Sequence, residues 1–416
     1  MHVGINCGTK MLCHSLTHQS KWFRVNSSLR VLTLRYFSQE SPSPGFRSPS
    51  QRIPSTPAIQ SELVRTPSEY VKGSRVLQVA ILGIPNAGKS TLVNQLSGWQ
   101  TCSVSKKVHT TKKMSKTVLI RDETQIVFLD TPGLVLPAEA KQFNLDKSFV
   151  IDPEVALSKA NLLLVLHDIS NKWTRGSLSS KILRLLHLYP DKESVLVLNK
   201  IDLLKEKRLL LDYTNKLTEG IVGGKSIASN TDPRKRRMSR QNSDMSTVNE
   251  SNTELSEPTN SRSMSEKEVA KRIEGKMGWP NFSRVFMISA IDGDGVSDIV
   301  EHLYGAAKPG RWMYNSSVVT DQNPHEMAIA IIRGKLLDIL DKELPYSINT
   351  SVRYWEEDLS GTLNIVMALD CQKKFTAKVV VGTGGRTVIQ LAREAEQDLR
   401  NMFRQEVRLK IVVEPA

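Results

Sequence analysis

Gly83-Ile84-Pro85-Asn86-Ala87-Gly88-Lys89-Ser90 is the stretch around which the rest of the chain is organised. An apolar run, Val76 to Leu82, precedes it, and Thr91-Leu92-Val93-Asn94-Gln95-Leu96 follows. A buried strand, a glycine turn and a helix start therefore come in that order, which makes the G-x-x-x-x-G-K-S spacing a phosphate-binding loop. Glycine lets the backbone curl until successive N–H groups of Gly83 to Thr91 face one concavity. The helix N-terminus adds its positive end, so the site favours a phosphate chain. Lys89 is expected to reach the terminal phosphates and Ser90 to offer its hydroxyl to Mg²⁺. The alternative, an ordinary glycine-rich strand-to-helix turn, loses weight as the downstream motifs accumulate.

A lysine-rich stretch, Lys106 to Lys113, has no apolar period and reads as a loop. A threonine there can complete the Mg²⁺ shell and close on the γ-phosphate. Thr111 is the preferred candidate and Thr110 the alternative. Gln125 to Leu129 reads as a strand ending in Asp130-Thr131-Pro132-Gly133. The Asp130 carboxylate can orient water on Mg²⁺, and Gly133 leaves its N–H free for the γ-phosphate. A further strand, Ser194 to Leu198, ends in Asn199-Lys200-Ile201-Asp202. Asp202 can accept from both guanine donors; adenine lacks that pair and would leave a buried carboxylate unmatched, a discrimination of roughly 10⁴ or more. After the strand Val285 to Ile288, the backbone of Ser289-Ala290 is expected to meet the guanine carbonyl. Strands alternate with amphipathic helical patterns at Ser90 to Leu96, Pro153 to Ala160, Gly176 to His187 and Val296 to Tyr304. This predicts an α/β fold with a mostly parallel sheet covered on both faces.

The 416 residues and formal net charge of +14 suggest more than one folded segment and raise the prior for an anionic partner. The four cysteines show no metal spacing, and no run of roughly eighteen apolar residues occurs. Residues 1 to 39 hold no Asp or Glu, with Lys10, Lys21, Arg24, Arg30 and Arg35 interspersed among apolar and hydroxyl residues. That is the composition of a mitochondrial transit peptide, a disordered basic tail being the alternative. Residues 40 to 72, rich in Ser and Pro, are expected to be an unstructured linker before a nucleotide-binding domain over 73 to 308. Within it, residues 225 to 268 are too poor in apolar side chains to offset ordering entropy and read as a disordered insertion. Its stretch Arg234 to Ser243 admits phosphorylation, nuclear-signal and RNA-touching readings beside that of a solvated loop.

Residues 309 to 323 read as a linker to a smaller α+β domain over 324 to 416. A helix starts at Pro324 and is expected to end near Leu344. Strands follow at Ser347 to Trp355 and Thr362 to Leu369, joined by Ser360-Gly361. The apolar run Val379 to Val381 leads into Gly382-Thr383-Gly384-Gly385-Arg386, then a helix with Val388, Leu391, Ala395, Leu399 and Met402, and a last strand, Val407 to Val413. G-x-x-G opening a helix is the loop that clamps a single-stranded backbone in KH domains.

The five nucleotide motifs resemble those of TRAFAC-class GTPases. The forms Gly83 to Ser90 and Asp130-Thr131-Pro132-Gly133-Leu134 are similar to the Era branch, and the C-terminal order resembles that branch's type II KH domain. The resemblance covers roughly residues 73 to 416 apart from the insertion. It implies GTP/GDP and Mg²⁺ as ligands and slow hydrolysis, since Leu134 stands where Ras-type enzymes carry glutamine. It implies that Asn86 helps hold K⁺ in place of an arginine finger. It also implies binding to small-subunit rRNA near its 3′ end, assembly of the small ribosomal subunit in the mitochondrial matrix, and a monomer that does not bind DNA. Era proteins usually carry lysine at a middle position of the G-x-x-G loop. Here those positions are Thr383 and Gly384, so Lys378 or Arg386 is expected to supply the phosphate contact. A peripheral inner-membrane contact is a further expected partner; a GTPase partner in tRNA modification, a GTP-holding RNA chaperone and a membrane-surface GTPase are the alternatives.

Overall fold

The computed structural model describes residues 31–33, 52–104, 114–131, 134, 148–227, 266–341 and 344–415. In chain order the elements are β1 (Val31–Thr33), α1 (Pro57–Arg65), β2 (Arg75–Leu82), α2 (Lys89–Ser97), β3 (Ser115–Arg121), β4 (Thr124–Asp130), α3 (Ser148–Lys159), β5 (Leu162–Asp168), α4 (Ser180–Leu188) and β6 (Glu193–Asn199). They continue with α5 (Leu209–Leu217), β7 (Ile221–Val222), β8 (Lys225–Ser226), α6 (Glu266–Ile273), β9 (Phe282–Met287), α7 (Val296–Ala306) and β10 (Lys308–Pro309). The last are α8 (Pro324–Ile339), β11 (Ile348–Glu357), β12 (Leu363–Cys371), α9 (Lys374–Val381), α10 (Arg386–Phe403) and β13 (Val407–Pro415).

The first domain is a sheet in the order β3-β4-β2-β5-β6-β9. Every neighbour pair on that path is parallel except β3 with β4. Strands β4 and β5 are buried at every position, as continuous apolar runs in a sheet covered on both faces must be. One face packs on α2 and α7 through Leu92, Val93, Ile299 and Leu303; the other packs on α3 and α4 through Leu157, Ile182 and Leu186. The parallel strands bring the phosphate loop, Asp130, Asp168 and Asn199 to one end of the sheet.

The second domain is a mixed sheet in which β12 pairs antiparallel with β11 and parallel with β13, covered by α8, α9 and α10. The order α-β-β-α-α-β is that of a type II KH domain. Helix α9 is a departure from the sequence reading. The sequence reading has only an apolar run at Val379-Val380-Val381; β-branched residues favour strands, but Ala377 and Val380 are buried in the core and tertiary packing draws the run into a helix. Helix α8 also stops earlier than expected, at Ile339, and Leu344–Ser347 forms a separate 3₁₀ turn. Residues 31–33, inside the expected leader, pair antiparallel with β13.

Both expected linkers differ from the sequence reading. Within 40 to 72, Pro57 opens a nine-residue helix, a position that suits its missing N–H. Ile53 is buried in the second domain's core, Trp355 Nε1 donates to Ser55 O at 2.7 Å and Gln60 Nε2 donates to Thr320 O at 2.6 Å. Residues 309 to 323 are strapped along β3 and β4. The fully buried Gln125 amide donates to Tyr314 O at 2.9 Å and accepts from Met313 N at 2.8 Å and Tyr314 N at 3.1 Å. Val118 N donates to Val319 O at 2.8 Å. The insertion is trimmed at both ends: Lys225–Ser226 pairs with β7, and α6 begins at Glu266 and packs on α4. Helix α3 begins a turn before Pro153, and α4 begins only at Ser180, where the Ser179 hydroxyl caps Lys181 N.

Helices α2 and α10 meet at their C-terminal ends. The last carbonyls of a helix lack internal partners. At α10, Trp99 Nε1 supplies a donor to Met402 O at 2.8 Å. Arg404, in the left-handed conformation that ends α10, stacks on the Trp99 ring at 3.4 Å and donates to Gly98 O at 3.3 Å. Trp99 belongs to the second domain's core although it follows α2 of the first. Trp99→Ala is expected to destabilise the chain by about 3 kcal/mol, through lost burial and a cavity. Trp99→Phe should cost about 1 kcal/mol by leaving Met402 O unpaired. Urea denaturation measures both, and equal losses for the two variants would contradict this geometry.

Candidate nucleotide and nucleic-acid sites

The phosphate loop is held in shape by a buried amide. Asn199, 2 % exposed at the end of β6, donates through Nδ2 to Ala87 O at 2.8 Å and accepts at Oδ1 from Ala290 N at 3.0 Å. Three of the predicted motifs are thereby joined at one side chain. Gly88 caps α2 with φ 95°, and a Cβ there would run into Asn199 Nδ2, so both the conformation and the contact require glycine. Asn86 also takes a left-handed conformation, φ 62°, and is exposed at the loop's rim. The Ala290 amide, expected to meet guanine, is directed here to Asn199. Ser289 Oγ is turned inward as well, donating to Asp292 Oδ2 at 2.8 Å.

Lys89 is buried and donates to Gly83 O at 3.1 Å and Ile84 O at 3.2 Å. Burial lowers its pKa to about 8, against the opposing pull of the Asp130 carboxylate. Asp130 is 1 % exposed, and burial pushes its pKa up; Lys89, Ser90 and the Cys102 thiol oppose that shift. Ser90 Oγ donates to Asp130 Oδ2 at 3.2 Å, while Asp130 Oδ1 has no hydrogen-bond partner among the described residues. An unpaired buried carboxylate oxygen is costly, and a divalent cation with its waters would satisfy it. Ser90 and Asp130 are therefore residues that could hold a metal. Thr110, Thr111 and Gly133 lie outside the described residues. Leu134 is buried among the apolar side chains of the sheet's α3 face.

Asp202 lies in the 3₁₀ turn after β6 and is exposed. The carboxylate expected to be buried is thus open to solvent, and a bound base would have to cover it. Lys200, at φ 64°, pairs with Asp168 Oδ2 at 2.5 Å. Asp168 Oδ1 in turn accepts from Ser170 N at 2.9 Å and Ser170 Oγ at 2.6 Å. Sequence reasoning missed Asp168. Its signal is a carboxylate closing the apolar run of β5, which the sheet register sets beside Asn199.

A second missed group is Asn94, on α2. Its Oδ1 accepts from Thr101 N at 3.0 Å and Cys102 N at 2.9 Å, and its Nδ2 donates to Cys102 O at 2.8 Å. This clamps the chain just before the lysine-rich loop. The same segment is bound from the far side, where Gln322 Nε2 donates to Thr101 O at 3.1 Å and Ser103 Oγ donates to Ala330 O on α8 at 3.0 Å.

In the second domain Gly382, Gly384 and Gly385 have φ of 72°, 62° and 80°, and Gly385 N bonds Gly382 O at 3.1 Å. A Cβ on Gly382 would collide with Thr387, so the loop can lie this close to α10 only with glycine there. Thr383 and Gly384 are exposed at the crown, and Gly385 is the N-cap of α10. Arg386 opens α10 and Lys378 lies one turn before Gly382; both are exposed. The geometry brings all six expected nucleic-acid residues to one end of the domain. No group of His, Cys, Asp or Glu among the described residues forms a separate metal site.

The family profile described as 50S ribosome-binding GTPase matches residues 78–200. A relative named "GTPase Era, mitochondrial" from Danio rerio is 42% identical over 360 residues, 86% of this chain and 79% of that protein. One of the same name from Caenorhabditis elegans is 28% identical over 385 residues, covering 88% of this chain and 95% of its own. The crystal structure of Era in complex with MgGDPNP and nucleotides 1506-1542 of 16S ribosomal RNA is similar in fold, with a TM-score of 0.58 at 21% identity over 82% of this chain and 94% of that one. The crystal structure of a point variant of Aquifex aeolicus Era bound to GDP.AlF4- has a TM-score of 0.57 at the same identity and coverage. Identity of this extent to the Danio rerio protein, on a fold that unites this phosphate site with a type II KH domain, makes the chain a member of the Era family of GTP-hydrolysing enzymes.

Proposed function

We propose that this chain binds mitochondrial small-subunit rRNA near its 3′ end in the matrix and assists assembly of that subunit, with GTP setting the orientation of its RNA-binding domain. The observation that carries this reading is the junction at Trp99. The helix that begins at the phosphate loop and the helix that begins at the G-x-x-G loop cap each other there. Residues 101 to 103, at the root of the lysine-rich loop, are bonded to Asn94 on one side and to Gln322 and Ala330 on the other. A loop that closes on a γ-phosphate would pull on that segment, and hydrolysis would release it. The basic acid-free leader and the names of the relatives support the mitochondrial location.

Ser90 and Asp130, completed by Thr111, would hold Mg²⁺, which neutralises phosphate charge and so eases phosphoryl transfer. Lys89 would leave its loop carbonyls for the phosphates. Asp202 would accept from guanine while the Asp168 pair fixes Lys200 beside it. Leu134 has no group to orient water, so hydrolysis at this site would depend on charge supplied by other means, and Asn86 would help hold K⁺. Replacing KCl by NaCl is expected to slow GTP turnover, and Asn86→Ala to remove most of the difference. Equal rates in the two salts would refute the K⁺ reading.

The lowered Lys89 pKa has a consequence for binding. Phosphate favours the charged ammonium and raises its pKa again, so between about pH 8 and the ordinary lysine range nucleotide binding takes up a proton. Affinity for GDP should therefore fall as pH rises through that window. Calorimetry at pH 9 in buffers of different ionisation heats would register the uptake. Absence of net proton uptake would show that Lys89 is already charged in the free site.

Crosslinking and sequencing of RNA bound to the tagged protein in cells tests the client. Gly384 faces open space at an exposed left-handed position, so Gly384→Asp adds charge without a clash. Reads are expected at one site near the 3′ end of mitochondrial small-subunit rRNA and should be lost in that variant. Reads on tRNA, or diffuse reads, would overturn the assembly reading.

A further inference from the structure

Helix α9, which leads into the G-x-x-G loop, begins against the usual rules. Its N-cap is Lys373, which makes no side-chain cap bond, and its first turn contains Lys374 and no acidic residue. Cations at the positive end of a helix are unfavourable, and lysine is a poor cap. Phe375, next in line, is 67 % exposed. Single exposed apolar side chains are common on protein surfaces. Here, however, three unfavourable features occupy consecutive residues, with no ion pair to either lysine among the described residues to compensate them. Local rules broken together without a structural gain are a mark of function.

The placement suggests the ligand. Thr376, Ala377 and Val380 form the buried face of α9. Helical phase puts Phe375 and Lys378 together on the opposite face, one turn apart, with Lys374 alongside. Gly382 follows one turn after Lys378, about 10 Å along the axis from Phe375. From Cys371 to Arg393 the chain has no Asp or Glu, and Lys373, Lys374, Lys378 and Arg386 make no ion pair among the described residues. An exposed ring flanked by unpaired cations beside a backbone clamp suits a strand that carries both phosphates and unstacked bases. A protein partner of acidic character would use the lysines but has no need of the ring.

We propose that Phe375 is a base-stacking platform: a base of the single strand held at Gly382 to Gly385 stacks on its ring, and Lys374 and Lys378 meet the adjoining phosphates. The proposal rests on the KH reading of the loop and extends its footprint along α9 by a nucleotide. It also offers an account of a loop that lacks the usual lysine, since the charge and the grip lie one and two turns upstream.

Fluorescence anisotropy of the full chain with two 12-residue probes tests it, one a single-stranded oligo(A) RNA and the other an abasic ribose-phosphate strand of equal charge. Phe375→Ala is expected to weaken oligo(A) binding roughly 5- to 150-fold, the range for one stacked base, and to leave abasic binding unchanged. Phe375→Tyr should bind oligo(A) as the wild type does. An oligo(A) loss below about twofold, or an equal loss on both probes, would overturn the proposal. Gly384→Asp serves as the separate control: if it leaves both probes bound as before, the loop reading fails, whatever Phe375 does.

Discussion

The Asn199 side chain is the contact on which the nucleotide site depends. It is a buried amide with one donor and one acceptor engaged, to the phosphate loop on one side and to the Ser289-Ala290 segment on the other. A buried polar group is tolerated only when it is bonded, so the three loops must take this arrangement together or not at all. Gly88 belongs to the same constraint, because any side chain there would displace the amide. The groups that face a ligand are then free to be unsatisfied. Lys89 leans on carbonyls it can leave, and Asp130 keeps one oxygen without a partner among the described residues. The site is rigid where it supports and under-bonded where it binds.

The second constraint is the junction of the two domains. A helix end is normally finished by its own chain, but α10 is finished by Trp99 from the phosphate-loop helix, and Arg404 returns the bond to Gly98. The strap of residues 309 to 323 and the segment around Ile53 add further attachments. Motion of one domain relative to the other must therefore rearrange a small set of identifiable bonds. Two-state behaviour needs such discrete contacts rather than a continuously deformable surface.

Asp168, Asn94 and Gln125 show why part of the site was not legible in the residues. Each is a single polar side chain in or beside an apolar run. Its role depends on what the sheet register or a distant segment brings next to it. Asp168 acts because β5 lies beside β6, and Gln125 because a segment nearly two hundred residues later turns its backbone toward it. Helix α9 was missed for a related reason. A run of three valines favours a strand when considered alone, and only the buried Ala377 and Val380 decide for a helix. Conversely, the leader-side segment Ile53 to Arg65 lacks a strong apolar period, and its order comes from docking on both domains, Ile53 on the second and Leu63 and Val64 on the first.

What the sequence by itself determined is the chemistry at the strand ends and the order of the parts. Glycine, lysine, serine and aspartate at fixed spacings work through local backbone geometry, so their motifs can be read without knowing the fold. Apolar runs between them set a parallel sheet, and a G-x-x-G loop opening an amphipathic helix set the second domain. The tertiary structure alone decided which amide locks the loops, which helix ends cap one another, and which expected linkers are ordered. Those outcomes rest on contacts between residues distant in the chain, whose energies arise only when burial removes water from both partners.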